Sequence, residues 1–167
     1  MSRMMNLTEI KNPFFILSFY HAVLLRLAAL PVSNKVRIMI YRHLGMRIGK
    51  DAYIGPNLEI VDHPFSKLIV IGTRVSIAAR VTLVVSSGPN NSRLKNMYPR
   101  KFGEIIIEED AWLATGVIVL PGITIGKMSI IGSGSVVTKN VPPYSVAAGV
   151  PARVIKKIGE LSNENTI

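Results

Sequence analysis

His63 is the only histidine in the chain beyond residue 43. An unperturbed imidazole titrates near ~6.5, which makes it the side chain best suited to take a proton at neutral pH. It stands in the stretch Glu59-Ile-Val-Asp-His-Pro-Phe65, so the Asp62 and Glu59 carboxylates lie beside it. Asp62 could orient a neighbour or bind hydroxyl groups. A second polar group follows downstream. Ser86 and Ser87 offer small hydroxyls that could steady a developing oxyanion. Asn90 and Asn91 offer amides that could hydrogen-bond sugar hydroxyls, although turn formation alone also uses asparagine. Near the end of the chain Arg153, Lys156 and Lys157 cluster, and guanidinium and ammonium groups pair well with phosphate. Together these residues suit proton abstraction from a hydroxyl, next to a site for a phosphorylated ligand.

The elements that must position them are read from a beat of six. From Glu104 to Val137 every sixth residue is aliphatic: Ile107, Leu113, Val119, Ile125, Ile131, Val137. Four residues after each comes a second, mostly small position: Ala111, Val117, Ile123, Ser129, Ser135, Val141. A helix needs a period near 3.6 and a plain strand a period of 2, so neither explains the run. A hexapeptide period predicts a parallel β-helix, each six being one short strand and one turn. Stacked rungs bury a column of side chains that no single rung can bury alone.

The beat extends upstream through Ile48, Ile54 and Ile60, then Ile71, Ile77 and Leu83. Three sixes make one triangular coil, giving coils 48–60, 71–83, 107–119 and 125–137. The steps from Ile60 to Ile71 and from Leu83 to Ile107 are too long, and both excesses follow the third six of a coil. Both insertions must therefore leave the prism at the same corner, on adjacent coils. The loops 61–68 and 84–103 are expected to face each other, bringing His63 and Asp62 toward Ser86, Asn90 and Asn91.

This pattern resembles the hexapeptide-repeat acyltransferases, and most closely their galactoside and maltose O-acetyltransferase branch. The resemblance covers about Met46 to Ile158. It is most specific from Asp110-Ala-Trp-Leu-Ala-Thr-Gly through Gly149-Val-Pro-Ala-Arg-Val-Ile155. It implies an all-β, left-handed parallel β-helix of about four coils, although ordinary crossovers are right-handed in ~98% of cases. It further implies a homotrimer with sites between subunits and acetyl-CoA as acyl donor, with no metal required. By resemblance Thr115 and Ser133 line the pantetheine arm, Thr138 and Lys139 lie by the nucleotide, and Arg153 and Lys156 meet phosphates. Gly126, Gly132 and Gly134 are read as allowing close approach of that arm.

One departure stands out. The galactoside-type enzymes carry a catalytic histidine in the second loop, and the matching position here is Gly88. Three explanations remain open: His63 serves as base from the adjacent coil; a carboxylate (Asp62 or Glu59) serves, or an amine acceptor supplies its own lone pair; or catalysis is lost. The expected function is acetyl transfer to a sugar hydroxyl in surface polysaccharide or glycolipid biosynthesis. The alternatives are N-acetylation of an amino-sugar nucleotide and a non-catalytic CoA-binding or scaffold trimer. A zinc-dependent carbonic anhydrase reading fits poorly, since the coils offer one histidine where three are needed.

The 167 residues allow one domain, divided into an N-terminal helical segment (1–45), the β-helix (46–147) and a C-terminal tail (148–167). In the first segment residues 13–30 form an apolar helix ended by Pro31. Ser33 caps a second helix through His43, and Gly45 stops it. The expected role of the pair is to cover the open first coil, whose strand edges must be hidden. The rival is peripheral membrane contact through residues 13–44. Arg26 argues against spanning. A net charge of +10 is either a solvated basic surface or an attraction to anions. No nucleic-acid motif accompanies it. The absence of cysteine suits a reducing, cytoplasmic compartment, with the inner membrane face as the rival location.

Overall fold

The computed structural model describes residues 13–30 and 33–159, leaving the side chains of 13–18 and 63–65 outside that description. Pro31 and the end of the expected tail, 160–167, also lie outside it.

Two helices come first, α1 (Pro13–Ala29) and α2 (Asn34–His43). The first coil is β1 (Arg47–Ile48), β2 (Tyr53–Ile54) and β3 (Glu59–Val61). The second is β4 (Ile69–Ile71), β5 (Ser76–Ile77) and β6 (Thr82–Val84). A ribbon of β7 (Ser86–Ser87) and β8 (Lys101–Phe102) interrupts the stack. The third coil is β9 (Ile105–Ile107), β10 (Trp112–Leu113) and β11 (Ile118–Val119), and the fourth is β12 (Thr124–Ile125), β13 (Ile130–Ile131) and β14 (Val136–Val137). The chain ends in β15 (Ser145–Gly149) and β16 (Ala152–Lys157).

These strands form the three faces of a left-handed parallel β-helix, and the register is the beat of six. On the first face Ile48, Ile71, Ile107 and Ile125 stack in line. On the second, Ile54, Ile77, Leu113, Ile131 and Ala147 do so. On the third, Ile60, Leu83, Val119 and Val137 do so. Every one of these side chains is buried, as are the small corner residues from Ala111 to Val141. Full burial of such an aliphatic contributes roughly 1.5–3 kcal/mol. A left-handed backbone residue turns each plain corner, among them Asp51, Asn57, Arg74, Arg80 and Asp110 at six-residue intervals within a coil.

The open first coil is closed by α2 with one polar device per face. Arg42 donates to the carbonyls of Ile48 (2.8 Å) and Gly49 (3.1 Å). Asn34 both donates to Ala52 O (2.9 Å) and accepts from Ile54 N (3.0 Å). Tyr41 donates its hydroxyl to Leu58 O at 3.2 Å. Buried Arg37 ties the layers together, donating to Ile54 O (2.6 Å) and to Ala28 O (3.1 Å) at the end of α1. Lone edge groups in a dry interface are costly, which accounts for this density of side-chain bonds.

The far end closes differently. The stretch read as a tail from residue 148 is in good part a hairpin, with β16 antiparallel to β15. The hexapeptide beat gave no sign of it, because a returning strand follows a period of two. Ser129 and Ser135 stand where the stack otherwise places aliphatics. Their hydroxyls bond to Pro142 O (2.8 Å) and accept from Gly149 N (3.0 Å), which pins this end.

Candidate functional site

Both insertions leave at the corner between the third and first faces, one from coil one and one from coil two. After β3 the chain turns at Asp62, whose φ of +63° is left-handed, into a tight helical turn over His63–Leu68. Buried Ser66 anchors that turn by donating to Leu44 O beneath α2. After β6 the longer loop runs out along β7 and returns along β8, with Ser86 opposite Phe102 and Ser87 opposite Lys101.

The two loops meet at Asp62. Its carboxylate accepts a hydrogen bond from Ser86 Oγ. Arg100 Nη1 lies 3.6 Å from Asp62 Oδ2, while Arg100 Nη2 donates to Asn90 Oδ1 at 2.7 Å. The Arg100 guanidinium also sits 6.0 Å from the centre of the Phe102 ring. One arginine thus joins the carboxylate of the first loop to the amide of the second. The backbone of His63 begins the turn directly after Asp62; its side chain lies outside the described residues. Ser86 partners Asp62, and Glu59 stays on β3, where Thr82 donates to it at 3.5 Å.

Two cavities flank this junction. One, of about 510 Å³, is lined by Ser87, Gly88, Tyr98, Phe102, Leu120 and Thr138 among others, and is mostly apolar. The other, of about 500 Å³, is lined by Pro89, Asn90, Asn91, Lys95 and Arg100. Gly88 lies flat against the returning strand: a Cβ there would come within 2.8 Å of Arg100 Cα. Among the described residues no group of three or more acidic or histidine side chains is arranged to hold a metal ion.

The remaining sequence-predicted residues separate into two groups. Thr115 and Ser133 stack one coil apart, with Gly134 N donating to Thr115 O at 2.9 Å, at the corner between the second and third faces. That corner is not the one bearing the loops. Thr138 lies on the loop corner, and Lys139 and Arg153 share a small cavity of about 150 Å³ between that corner and β16. Lys156 is exposed on β16, whereas the Lys157 ammonium donates to Ser145 Oγ at 3.0 Å and helps close the stack. Two of the glycines have a structural cause. A Cβ on Gly126 would meet Pro143 N at 2.4 Å, and one on Gly132 would meet Ala148 Cβ at 2.9 Å; only Gly134 opens onto free space.

Residues 104–139 match the family model for the bacterial transferase hexapeptide (six repeats). The galactoside O-acetyltransferase of Escherichia coli (strain K12) is 42% identical over 115 residues, 69% of this chain and 55% of that protein. The solved maltose O-acetyltransferase from Clostridium difficile 630 is 30% identical, covering 83% of this chain and 84% of that one at a TM-score of 0.57. This chain belongs to the hexapeptide-repeat acetyltransferase family. A further member, galactoside acetyltransferase solved in complex with coenzyme A, superimposes at a TM-score of 0.63 with 28% identity, covering 85% of this chain and 80% of that one. The chain spans about half the length of the curated galactoside relatives it matches.

Within the family frame, sequence reasoning found Asp62, Ser86 and Asn90 as a group but missed Arg100, which links them. The available signal was charge. No aspartate or glutamate occurs between residues 63 and 103, while Arg93, Lys95, Arg100 and Lys101 all fall in the second loop.

Proposed function

We propose that this chain transfers acetyl from acetyl-CoA to a sugar hydroxyl, in the assembly of a surface polysaccharide or glycolipid. The observation that carries this reading is the junction of the two loops, where Asp62, Ser86 and Arg100 meet beside a cleft lined by Thr138 and Gly88. Acetyl-CoA is a co-substrate here. Thr115 and Ser133 would hold its arm through a corner of regularly spaced backbone amides, and Lys139, Arg153 and Lys156 would meet its phosphates.

Those donor residues lie on two corners of one prism. That separation supports a homotrimer in which the loop corner of one copy faces the Thr115–Ser133 corner of the next. The acceptor hydroxyl then loses its proton to a base, its oxygen attacks the thioester carbonyl, and the thiolate of CoA departs. Ser87, on the rim of the larger cleft, is placed to donate to the oxyanion.

His63 is the proposed base, because its backbone stands at the corner where both loops converge; Asp62 orients acceptor hydroxyls, held by Ser86 and Arg100. A Cβ at position 88, where the resemblance expects a histidine, would meet Arg100 Cα at 2.8 Å, which supports a different residue set in the second loop. Peripheral contact with the inner membrane face is supported by an exposed stripe of Phe19, Val23 and Leu27 on α1, with Arg26 and Lys35 nearby in sequence. Among the described residues no helix is long and apolar enough to cross a membrane.

The test is thiol release from acetyl-CoA across a panel of sugars and amino sugars. Release with hydroxyl acceptors is expected. Release with amines alone would move the reading to N-acetylation, and tight CoA binding without turnover would replace it with a scaffold.

A further inference from the structure

The second loop builds a pocket whose chemistry the acetyl-transfer reading alone does not call for. Pro89, Asn90, Asn91, Lys95 and Arg100 line an open depression of about 500 Å³. The short helical turn Arg93–Asn96 carries Lys95 into place, and Ser92 caps that turn by accepting from Leu94 N at 3.2 Å. Arg100, just ahead of β8, reaches the pocket from the other side, steadied by its bond to Asn90 Oδ1 and by the Phe102 ring. The loop holds four cations and no carboxylate. Lys95 has no acidic partner among the described residues. Asp62 lies 3.6 Å from Arg100, beyond hydrogen-bond reach, and offsets one positive charge only. A guanidinium has five N–H donors, and Asn90 takes one of them.

Resting on the acetyltransferase reading, we infer that the acceptor is an anionic sugar, whose carboxylate or phosphate is held by Lys95 and Arg100 while its hydroxyls face Asp62. A neutral sugar needs hydroxyl-binding amides and carboxylates, and Asn90, Asn91 and Asp62 supply those. It has no use for two cations converging with no acid among the residues that line the pocket. The placement has a geometric consequence. Arg100 touches both the pocket and the Asp62–Ser86 pair, so a bound anion lies within one arginine side chain of the hydroxyl to be acylated. It also explains the packing of Gly88, since any side chain there would push Arg100 off this line.

The experiment measures binding and turnover separately, using a methyl hexuronoside, a hexose 6-phosphate and the matching neutral methyl hexoside. Titration calorimetry on the intact protein is expected to rank at least one anionic sugar roughly tenfold above the neutral one, since charge-assisted hydrogen bonds are about twice as strong as neutral ones. Which anionic sugar leads identifies carboxylate or phosphate. Lys95→Gln is expected to shrink that preference severalfold, and added salt to weaken it further. Equal binding of neutral and anionic sugars, no sugar binding at all, or a preference untouched by Lys95→Gln overturns the inference. Anionic preference without thiol release from acetyl-CoA keeps the anion site and sinks acetyl transfer instead, so the two readings fail separately.

Discussion

Between Glu104 and Val137 a residue's type follows from its place in the beat; between Val84 and Gly103 it does not. In the stack, Ile107 has Ile71 on one side and Ile125 on the other, and the backbone of each coil bonds to the next. Any change of size is felt by both neighbours. The loop is tied to the prism where it returns, with Gly103 N donating to Val85 O at 3.1 Å, and reaches back to it from Arg100 to Asp62. Its interior is polar and mostly exposed. The difference teaches where such a protein can change function. The stack holds position and resists substitution, while the loops carry the polar and charged groups that a change of function would alter.

The comparison is broken most directly at His63. If chemistry resides in the loops, His63→Ala lowers kcat/KM by roughly 10²–10⁴-fold, the usual worth of a general base, and leaves the unfolding midpoint unchanged. Activity kept within a few-fold would transfer the role to Asp62, where Asp62→Asn is the next variant to assay.

Ile107→Ala tests the other side. Its side chain is fully buried, so truncation is expected to cost about 2–5 kcal/mol in denaturant unfolding. Met97→Ala in the loop, where the side chain is 73% exposed, should stay within about 0.5 kcal/mol. Similar losses at both sites would erase the distinction between stack and loop.

The helical cap lies between these regimes, since polar side chains there terminate an apolar stack. Tyr41→Phe removes the bond to Leu58 O and is expected to cost roughly 1–3 kcal/mol. Burial pushes the Tyr41 phenol up to about 12, against the opposing pull of the Arg37 charge. A raised phenol pKa means the neutral form is the one the fold favours. Its contribution is therefore complete below the free value near ~10 and is lost as pH rises toward about 12. Alkaline unfolding followed from pH 9 to 12 should show that loss, and Tyr41→Phe should flatten it.

The smallest effect belongs to the outer surface of the stack. The bidentate bonds from Arg74 to Asp110, 2.7 and 2.6 Å long, lie in solvent. The Arg74 hydrogen bond and charge hold the Asp110 carboxyl below its usual range. This contribution is present above the ordinary carboxylate value near ~3.9 and falls away at lower pH. Arg74→Ala should leave the midpoint at neutral pH close to that of the unmodified protein, because exposed pairs are weakly stabilising.

Much of the fold was legible in the letters. Every aliphatic from Ile48 to Val137 that the beat selected lies in the register it implied, because a strand's period of two and a coil's period of three sixes leave no other way to bury one column. The meeting of the loops followed from counting alone, since both excesses come after a third six. Asp62, Ser86 and Asn90 could therefore be grouped before any contact was seen. The C-terminal hairpin escaped notice, and Arg100 with it. A returning strand and a loop cation leave no periodic trace.

The sequence by itself determined the repeat, the corner from which both loops emerge, and the excess of positive charge in the longer one. Each six repeats the same strand, turn and inward-facing residue so that the coils can stack, and a repeated demand of that kind can be read from spacing. Only the tertiary structure decided that Asp62 bonds Ser86, that Arg100 covers Gly88, and that Thr115 and Ser133 occupy a different corner from the loops. Those contacts join residues far apart in sequence. They depend on where a loop's return path lies in space, which follows from packing between distant segments and has no period to count.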